Sequence, residues 1–403
     1  MQENNFIVRE PLLDPKQRVM GYELSWQLAD GAQKPTADDM EALMGFVAGE
    51  LVDEDGDWLL RKKILFVDAV PELLSTDALH AMPPEFTVLT LSRQDLNNED
   101  TLAAVRGLRA GGVGIALRDA DLTKIDKNIL KEVSYLEVRF SGADVAAQAR
   151  AYAALKQSSV RMVGRPVTTW ADFDACAMLG LDAFVGKLHL TPRPGNPVKG
   201  LNPAQTVILQ LMQLVKKNAD VPQLESVLKR DAALSYKLLR FINSAGFGMG
   251  REIQSLRQAL ALLGYAPLYR WLTLLLATAS TSGYSPVLME TAVVRGRLAE
   301  LLGQPFLPKG EAENLFVTGM FSLLDRLLGI PMKEVLETIQ LSDDVVEALL
   351  TRGGMYGPYL ALAEACELNS MLVGSLSESL HISPEEVNKA HLQALAWAQT
   401  IET

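Results

Sequence analysis

Apolar and polar positions follow two different patterns in the two halves of the chain. In the first half, short apolar runs alternate with segments of helical periodicity, and the first two runs, Phe6 to Leu12 and Val19 to Leu24, flank a turn at Asp14-Pro15-Lys16. This pair of runs predicts a β-hairpin. Later runs predict strands at Ile64 to Val70, Phe86 to Leu91, Val113 to Leu117, Leu136 to Phe140, Val160 to Val163 and Ala183 to Leu188. Buried strands separated by helices form mostly parallel sheets, and this many repeats predict a closed barrel with helices outside it.

The second half of the chain shows only helical signals. A segment rich in proline and glycine, TPRPGNPVKGLN at 191–202, separates it from the first half and is typical of an interdomain linker. Asn202-Pro203 starts the first helix as N-cap and first-turn proline, and Ser383-Pro384 starts the last. We therefore predict a barrel domain at 1–192, a linker at 193–202 and an all-helical domain at 203–403.

The segment 230–264 has the clearest local pattern of the helical half. Leu234, Leu238 and Ile242 share one face of a predicted helix. A loop with three glycines follows at 244–250, and glycine-rich segments rarely continue a helix. A second helix is predicted to begin after Ser255, whose side chain we expect to cap it.

This segment resembles the HDOD domain, a helical relative of the HD phosphohydrolases found in bacterial signalling proteins. The matching positions are Asp231, Leu234, Leu238, Leu239, Asn243, Ser244, Ile253, Ser255, Ala259, Leu263 and Gly264. The resemblance implies an HD-like helical bundle. Related hydrolases bind metal through a His-Asp dipeptide, but Ser322 and Leu323 stand at that place here. We expect the two histidines of this half, His381 and His391, to be surface or helix-cap residues, because their spacing does not suit a helical pair of ligands.

The motif GYELSWQ in the opening hairpin resembles the signature of the EAL domain. Active members of that family are barrels that hydrolyse cyclic di-GMP with two divalent cations. Such cations take oxygen ligands, polarise the phosphate and activate water. The resemblance implies an N-terminal TIM-like (β/α) barrel of EAL type, in which Glu23 is the glutamate of the signature.

Most of the site residues that the EAL resemblance implies are replaced in this sequence. The replaced positions hold Gln27, Thr90, Arg93, Arg118, Glu137, Arg139, Gly164 and Val167. We predict a remnant pocket of Glu23, Asp68, Arg118, Asp119 and Arg139, with no metal ion and no other cofactor. Fixed arginines oppose the binding of a cation by electrostatic repulsion. Glu23 is expected to be buried and paired with Arg118 or Arg139.

Composition and charge limit the kinds of partner that the protein can bind and the cellular compartment in which we expect it. The chain of 403 residues is 48% hydrophobic and 22% charged, which is typical of globular domains. Its net charge of -11 argues against a nucleic-acid partner, which requires a basic footprint. The first residues do not resemble a signal peptide, no apolar run is long enough for membrane insertion, and two cysteines suggest no disulfide framework. We expect a cytoplasmic protein.

These observations lead to one main functional hypothesis and two alternatives. The main hypothesis is a catalytically inactive bacterial signalling protein that acts as an adaptor for other signalling proteins. One alternative is a receptor that binds cyclic di-GMP or a related nucleotide without cleaving it, and the other is a metal-dependent phosphodiesterase. For the adaptor, the candidate interaction loop is Phe247, Met249 and Arg251, because apolar side chains on a glycine-rich loop favour a contact surface. The alternative is that Phe247 folds back onto the helical bundle and belongs to its core. We also expect the two domains to touch near the end of the last strand.

Overall fold

The computed structural model describes residues 5–27, 35–120, 127–139, 152–153, 155–156, 158–191, 193, 201, 203–242, 253, 255–278, 286–338 and 341–401. The strands of the first half are β1 (Phe6–Leu13), β2 (Val19–Gln27), β3 (Ile64–Asp68), β4 (Thr87–Leu91), β5 (Gly114–Leu117), β6 (Tyr135–Val138), β7 (Arg161–Gly164) and β8 (Ala183–Val185). Its helices are α1 (Ala37–Leu51), α2 (Asp77–His80), α3 (Glu99–Ala110), α4 (Lys127–Glu132) and α5 (Trp170–Leu179).

The strands form a closed barrel in chain order. Every neighbouring pair from β2 to β8 is parallel, whereas β1 is antiparallel to both β2 and β8. The predicted hairpin and the mostly parallel barrel are therefore confirmed. β1 pairs with β8 only at Leu12 and Leu13, so most of that edge of β1 is not covered by a strand.

Alternation along the strands decides what lies inside the barrel. Successive residues of a strand point to opposite faces, so one residue in two faces the interior. The interior is filled by a small apolar cluster: Leu12, Phe66, Val88, Ala116, Tyr135, Val163, Ala183 and Val185. Phe66 and Tyr135 pack edge to face within it, with ring centroids 5.0 Å apart. The larger apolar core lies between the outer faces of the strands and the helices.

The second half is helical throughout its described residues, as predicted. Its helices are α6 (Pro203–Lys216), α7 (Val221–Leu228), α8 (Ala232–Ile242), α9 (Leu256–Leu263), α10 (Tyr265–Thr278), α11 (Pro286–Gly303), α12 (Lys309–Phe321), α13 (Leu324–Leu328), α14 (Met332–Thr338), α15 (Asp343–Thr351), α16 (Gly357–Leu368), α17 (Val373–Ser379) and α18 (Pro384–Ile401). Helices α11 and α12 touch backbone to backbone, because a Cβ on Gly296 would lie 2.8 Å from the Phe316 carbonyl oxygen and a Cβ on Gly319 2.7 Å from that of Arg295.

The free edge of β1 is covered by the helical half. Asn388 of α18 accepts a hydrogen bond from the Ile7 amide at 2.7 Å and donates one to the Asn5 carbonyl at 2.9 Å. A side-chain amide thus replaces a strand partner, which is one way in which proteins protect an exposed sheet edge. Arg326 also donates to the carbonyl of Leu190 at 2.5 Å, beyond the last strand. The two halves touch as expected, but the contact extends well beyond the end of β8 to β1 and β2.

A buried charged residue joins the two halves at the centre of this contact. Glu290 of α11 is 6% exposed and accepts hydrogen bonds from three side chains. The Tyr22 hydroxyl and the Lys63 ammonium, the latter at 3.2 Å, come from the barrel, and the Gln399 amide, also at 3.2 Å, comes from α18. Lys63 additionally donates to the Val19 carbonyl at 2.7 Å. The interface is therefore a satisfied polar network enclosed by apolar packing.

Two local expectations in the helical half are wrong. Ser255 precedes α9 as predicted, but its side chain makes no capping hydrogen bond. His391 is not a surface residue, because it is 1% exposed on the inner face of α18. Burial and the nearby Arg9 lower the pKa of its imidazole to about 3. His381 is exposed, in a left-handed turn with φ 57°.

Among the described helices, none is by itself long and apolar enough to cross a membrane. Only Leu256–Leu263 and Tyr265–Leu276 taken together, across a bend of 111°, have that length and composition.

Candidate functional site: the charged mouth of the barrel

The charged residues of the barrel collect at one end because of strand alternation. Two residues beyond the apolar interior cluster, toward the carboxyl ends of the strands, the same face carries polar residues. These are Asp68 after Phe66, Thr90 after Val88, Arg118 after Ala116, Glu137 after Tyr135 and Arg165 after Val163. Glu23 of β2 and Glu10 of β1 complete the set. We call Glu10, Glu23, Asp68, Arg118, Glu137 and Arg165 the mouth cluster.

Arg118 joins three of the carboxylates. It makes two hydrogen bonds to Asp68, one of them 2.8 Å long from Nη1 to Oδ2. Its Nε lies 3.6 Å from Glu137 and its Nη2 lies 3.9 Å from Glu23. The two-pronged geometry with Asp68 is the strong arrangement for a guanidinium and a carboxylate.

Arg165 joins a second, overlapping group of carboxylates. Its Nη1 donates to Oε2 of Glu23 and lies 3.7 Å from Glu137. Its Nη2 lies 3.7 Å from Glu10. Glu23 and Glu137 therefore each contact both arginines, and the two guanidinium groups occupy the space between the carboxylates.

Burial shapes the charge of this cluster. Desolvation raises the pKa of Glu23 to about 7 against the opposing attraction of Arg165, and the neighbouring Glu137 and Asp68 raise it further. Desolvation also raises the pKa of Glu137. Burial disfavours the charged form of Arg118, but the hydrogen bond and charge of Asp68 outweigh that effect and raise its pKa. Near neutral pH the Glu23 carboxyl is therefore only partly ionised beside the positive charges of Arg118 and Arg165.

Two buried polar atoms of the mouth have no hydrogen-bond partner among the described residues. They are the hydroxyl oxygen of Thr90 and Oε1 of Glu137, both on residues that are 3% exposed. Buried polar atoms normally find a partner, and an unpaired one marks a place for water or a ligand. The mouth therefore retains unused hydrogen-bonding capacity beside its ion pairs.

The residues of the mouth do not fit a pair of divalent cations. The described part of the chain contains no group of three or more His, Cys, Asp and Glu side chains arranged to hold a metal ion. Glu23, Asp68 and Glu137 each face a guanidinium within 4 Å. A cation placed among them would have to displace Arg118 and Arg165, whose charge repels it.

The remnant pocket named from the sequence separates into two groups. Glu23, Asp68 and Arg118 meet in the mouth cluster, whereas Asp119 and Arg139 form an exposed pair beside it, with Arg139 Nε 2.6 Å from Asp119. Asp119 lies on a turn with φ 47°, and Arg139 lies past the end of β6 with its side chain 74% exposed. The main partner of Glu23 is Arg165, with Arg118 more distant and Arg139 elsewhere. The interaction loop Phe247, Met249 and Arg251 lies outside the described residues.

Sequence reasoning missed Glu10 and Arg165 and gave Glu137 no role. The alternation of strand faces could have revealed Arg165. Residues two apart along a strand share a face, and Arg165 stands two residues after Val163 just as Arg118 stands two residues after Ala116. Matching to a family signature draws attention to inherited positions only, and Arg165 is not one of those.

In the helical half, a buried arginine contacts the position at which the HD resemblance implies a metal ligand. Arg295 of α11 is 5% exposed and donates to the Ser322 hydroxyl at 2.7 Å, to Glu364 at 3.1 Å and to Glu367 at 2.8 and 3.0 Å. Ser322 is the residue that stands in place of the histidine of the dipeptide. The close α11–α12 contact at Gly319 brings the arginine to it. Here too a guanidinium takes the central position between carboxylates.

Comparison with known proteins supports the helical resemblance. Residues 201–330 match the model of the HDOD domain, so the chain contains an HDOD domain in this region. The helices from Met332 onward lie beyond the matched segment. Two full-length relatives are similar to the whole chain. One is "Uncharacterized protein YuxH" of Bacillus subtilis, 23% identical over 98% of each chain. The other is "Cyclic di-GMP phosphodiesterase CdgJ" of Vibrio cholerae, 26% identical over 98% of this chain and 93% of the relative.

Solved structures with some likeness to this chain include one complex with cyclic di-GMP and one EAL domain. One is a manganese and cyclic di-GMP complex of Klebsiella pneumoniae BlrP1, 17% identical, with a TM-score of 0.38 over 46% of this chain and 55% of that chain. The other is the EAL domain of Mycobacterium smegmatis DcpA, 14% identical, with a TM-score of 0.38 over 45% of this chain and 90% of that chain.

Proposed function

We propose that this chain is a bacterial signal-transduction protein related to cyclic di-GMP pathways that acts as a protein-interaction adaptor and does not hydrolyse the nucleotide. The observation that carries the proposal is the position of Arg118 and Arg165 between the carboxylates of the barrel mouth. Metal-assisted phosphodiester hydrolysis needs carboxylates that are free to bind cations. Here those carboxylates neutralise arginines of the same chain.

The HDOD half supports the same proposal. Arg295 fills its buried polar centre together with Ser322, Glu364 and Glu367, so that centre is also occupied by an internal ion pair. A protein whose two inherited sites are both closed by arginine retains a stable scaffold and its outer surfaces. Function then depends on what those surfaces bind.

Hydrolysis is the competing function, because one full-length relative bears the name of a cyclic di-GMP phosphodiesterase. The test is a turnover assay of the full chain with cyclic di-GMP and magnesium or manganese. That relative is the positive control, and Glu23→Ala is the matched negative control. We expect the wild-type chain and Glu23→Ala to give the same background rate. A wild-type rate clearly above that of Glu23→Ala would overturn the proposal.

A specific observation favours a second candidate function, that of a non-hydrolysing receptor for cyclic di-GMP or a related nucleotide. Thr90 and Glu137 each have a buried oxygen without a hydrogen-bond partner at the mouth, within the described residues. A bound ligand with hydrogen-bond donors would satisfy them. Calorimetric titration with cyclic di-GMP, with and without magnesium, tests this function. A receptor gives saturable heat that Thr90→Val reduces at nearly unchanged side-chain volume, whereas a pure adaptor gives no heat in either protein.

A further inference from the structure

The first helices of the HDOD domain carry a charge opposite to that of the rest of the chain. Residues 203–264 contain eight Lys and Arg residues and four Asp and Glu residues, whereas the chain as a whole contains 38 and 49. This short region is therefore positive by four charges, and the remainder is negative by fifteen. Strong charge asymmetry of this kind points to a partner of the opposite sign.

The acidic side chains of this region that the structure describes are engaged locally. Asp220 caps α7 through the Gln223 amide at 3.0 Å, and Asp231 accepts from the Leu234 amide at 3.0 Å at the start of α8. Glu225 pairs with two cations, Lys229 at 2.8 Å and Arg257 at 2.9 Å. The described acids therefore stabilise helix ends or neutralise Lys229 and Arg257.

Three cations of this region face solvent without an ion pair among the described residues. They are Lys217 after α6, Arg230 after α7 and Lys237 on the outer face of α8. Tyr236 stands next to Lys237 with 66% of its surface exposed. Helix α7 packs against both α6 and α8, and we call Lys217, Arg230, Tyr236 and Lys237, which lie on or just after these three helices, the cationic face. Exposed tyrosine and arginine side chains together are enriched where proteins bind one another.

Helix stabilisation explains only part of this arrangement. Lys217 and Arg230 follow the carboxyl ends of helices, where a positive charge favours the helix dipole. Lys237 lies in the middle of α8, however, and Arg257 lies at the start of α9, where a positive charge opposes the dipole. Local stability alone therefore does not account for the surplus of cations.

We propose that the cationic face binds an acidic segment of a partner protein. Helix α8 has 11 residues and is about 16 Å long, which suits an acidic helix of roughly ten residues or an extended acidic stretch of about five. A nucleic acid is a poorer match, because it extends past this small region and meets a surface with an excess of fifteen negative charges. The proposal rests on the adaptor function and adds the chemistry of the partner.

The test measures the binding of a fluorescein-labelled decaglutamate peptide to the full chain by fluorescence anisotropy at about 50 mM salt, where surface charges are weakly screened. The charge-reversed variant is Lys217→Glu/Arg230→Glu/Lys237→Glu. The matched control is Lys62→Glu/Lys309→Glu/Lys333→Glu, which makes the same change in net charge at exposed lysines elsewhere. We expect the first variant to bind about tenfold more weakly or worse and the control to stay within about twofold of wild type.

Equal weakening in both variants, or no binding to the wild-type chain, would overturn the proposal. Tighter binding of a labelled single-stranded oligonucleotide than of the peptide, lost in the same variant, would assign the face to nucleic acid instead. Thermal melting checks that both variants fold, and the pair Lys237→Glu and Lys333→Glu repeats the comparison if the triple variant does not. Hydrolysis of cyclic di-GMP does not enter this measurement, so failure here leaves the turnover result intact.

Discussion

Replacing Glu290 by leucine should destabilise the whole chain, because this residue joins the two halves. The substitution removes the acceptor for Tyr22, Lys63 and Gln399 at once. Lys63 is 9% exposed and would keep only its bond to the Val19 carbonyl among the contacts described above. Removing one partner of a buried ion pair leaves an uncompensated charge and typically costs about 3–5 kcal/mol. We expect a loss of that size in the free energy of unfolding.

Urea unfolding followed by tryptophan fluorescence measures this effect. Trp58 is a direct probe of the surroundings of Lys63, because its indole donates a hydrogen bond to the Lys63 carbonyl at 2.9 Å. The matched control is Glu99→Leu, which breaks the pair of Glu99 with Arg106 at 3.3 Å while the Glu99 side chain is 80% exposed. Exposed pairs of this kind contribute about 0–1 kcal/mol.

The double variant Lys63→Met/Glu290→Leu tests the physical reason. If the cost of Glu290→Leu comes from the loss of the carboxylate beside the Lys63 charge, removing that charge as well should recover much of the lost stability, because apolar pairs often replace buried ion pairs without loss. The reasoning fails if Glu290→Leu stays within 1 kcal/mol of wild type, or if the double variant is no more stable than the single one.

Three further outcomes follow from the geometry. In the folded chain the pKa of His391 is about 3, whereas its ordinary value is 6.5. Between these values His391 binds a proton in the unfolded chain but not in the folded chain. The contribution of His391 to the free energy of unfolding therefore falls by about 1.4 kcal/mol for each pH unit below pH 6.5. His391→Leu should remove that slope, measured by urea unfolding across pH 4–7. The pKa of Glu23 is about 7 in the folded chain, whereas the ordinary value for glutamate is 4.5, so between these values Glu23 binds a proton in the folded chain but not in the unfolded chain. The contribution of Glu23 to stability therefore rises as the pH falls from 7 to 4.5. Glu23→Gln should remove this pH dependence, which is opposite in sign to that of His391. Asn388→Ala should cost about 1–3 kcal/mol and speed hydrogen exchange at the Ile7 amide, which loses its partner.

Each of these outcomes has a contradicting result, and the His391 prediction also has a control variant. His80→Gln removes an exposed imidazole, and an equal change of slope in that variant would mean that burial of His391 is not the cause. A Glu23→Gln variant with the pH dependence of wild type would contradict a raised pKa of Glu23 in the folded chain. Unchanged exchange at Ile7 in Asn388→Ala would show that β1 does not depend on α18 for protection.

The sequence by itself determined the elements and their order. The pattern of apolar residues is a property of the sequence alone. The hairpin, the parallel strands and the change to helices near Pro203 therefore followed from periodicity and turn residues. The absence of carboxylates at Thr90 and Arg118 was also readable, since a residue type either can or cannot bind a cation. The HDOD segment was identified from a spaced pattern of leucines, glycine and an Asn-Ser pair, which reflects local helix and turn chemistry.

Only the tertiary structure decided which charges pair. Arg165 and Glu23 are far apart in sequence, and the closure of the barrel brings them together at the mouth. The burial of His391 depends on the docking of α18 against β1, which no property of the helix itself requires. Glu290 likewise connects the two halves only in the folded chain, because Tyr22 of β2 and Lys63 of the loop before β3 both donate hydrogen bonds to it. Local patterns fix the elements because they act over a few residues, whereas burial and ion pairing depend on surfaces that exist only after the halves have packed.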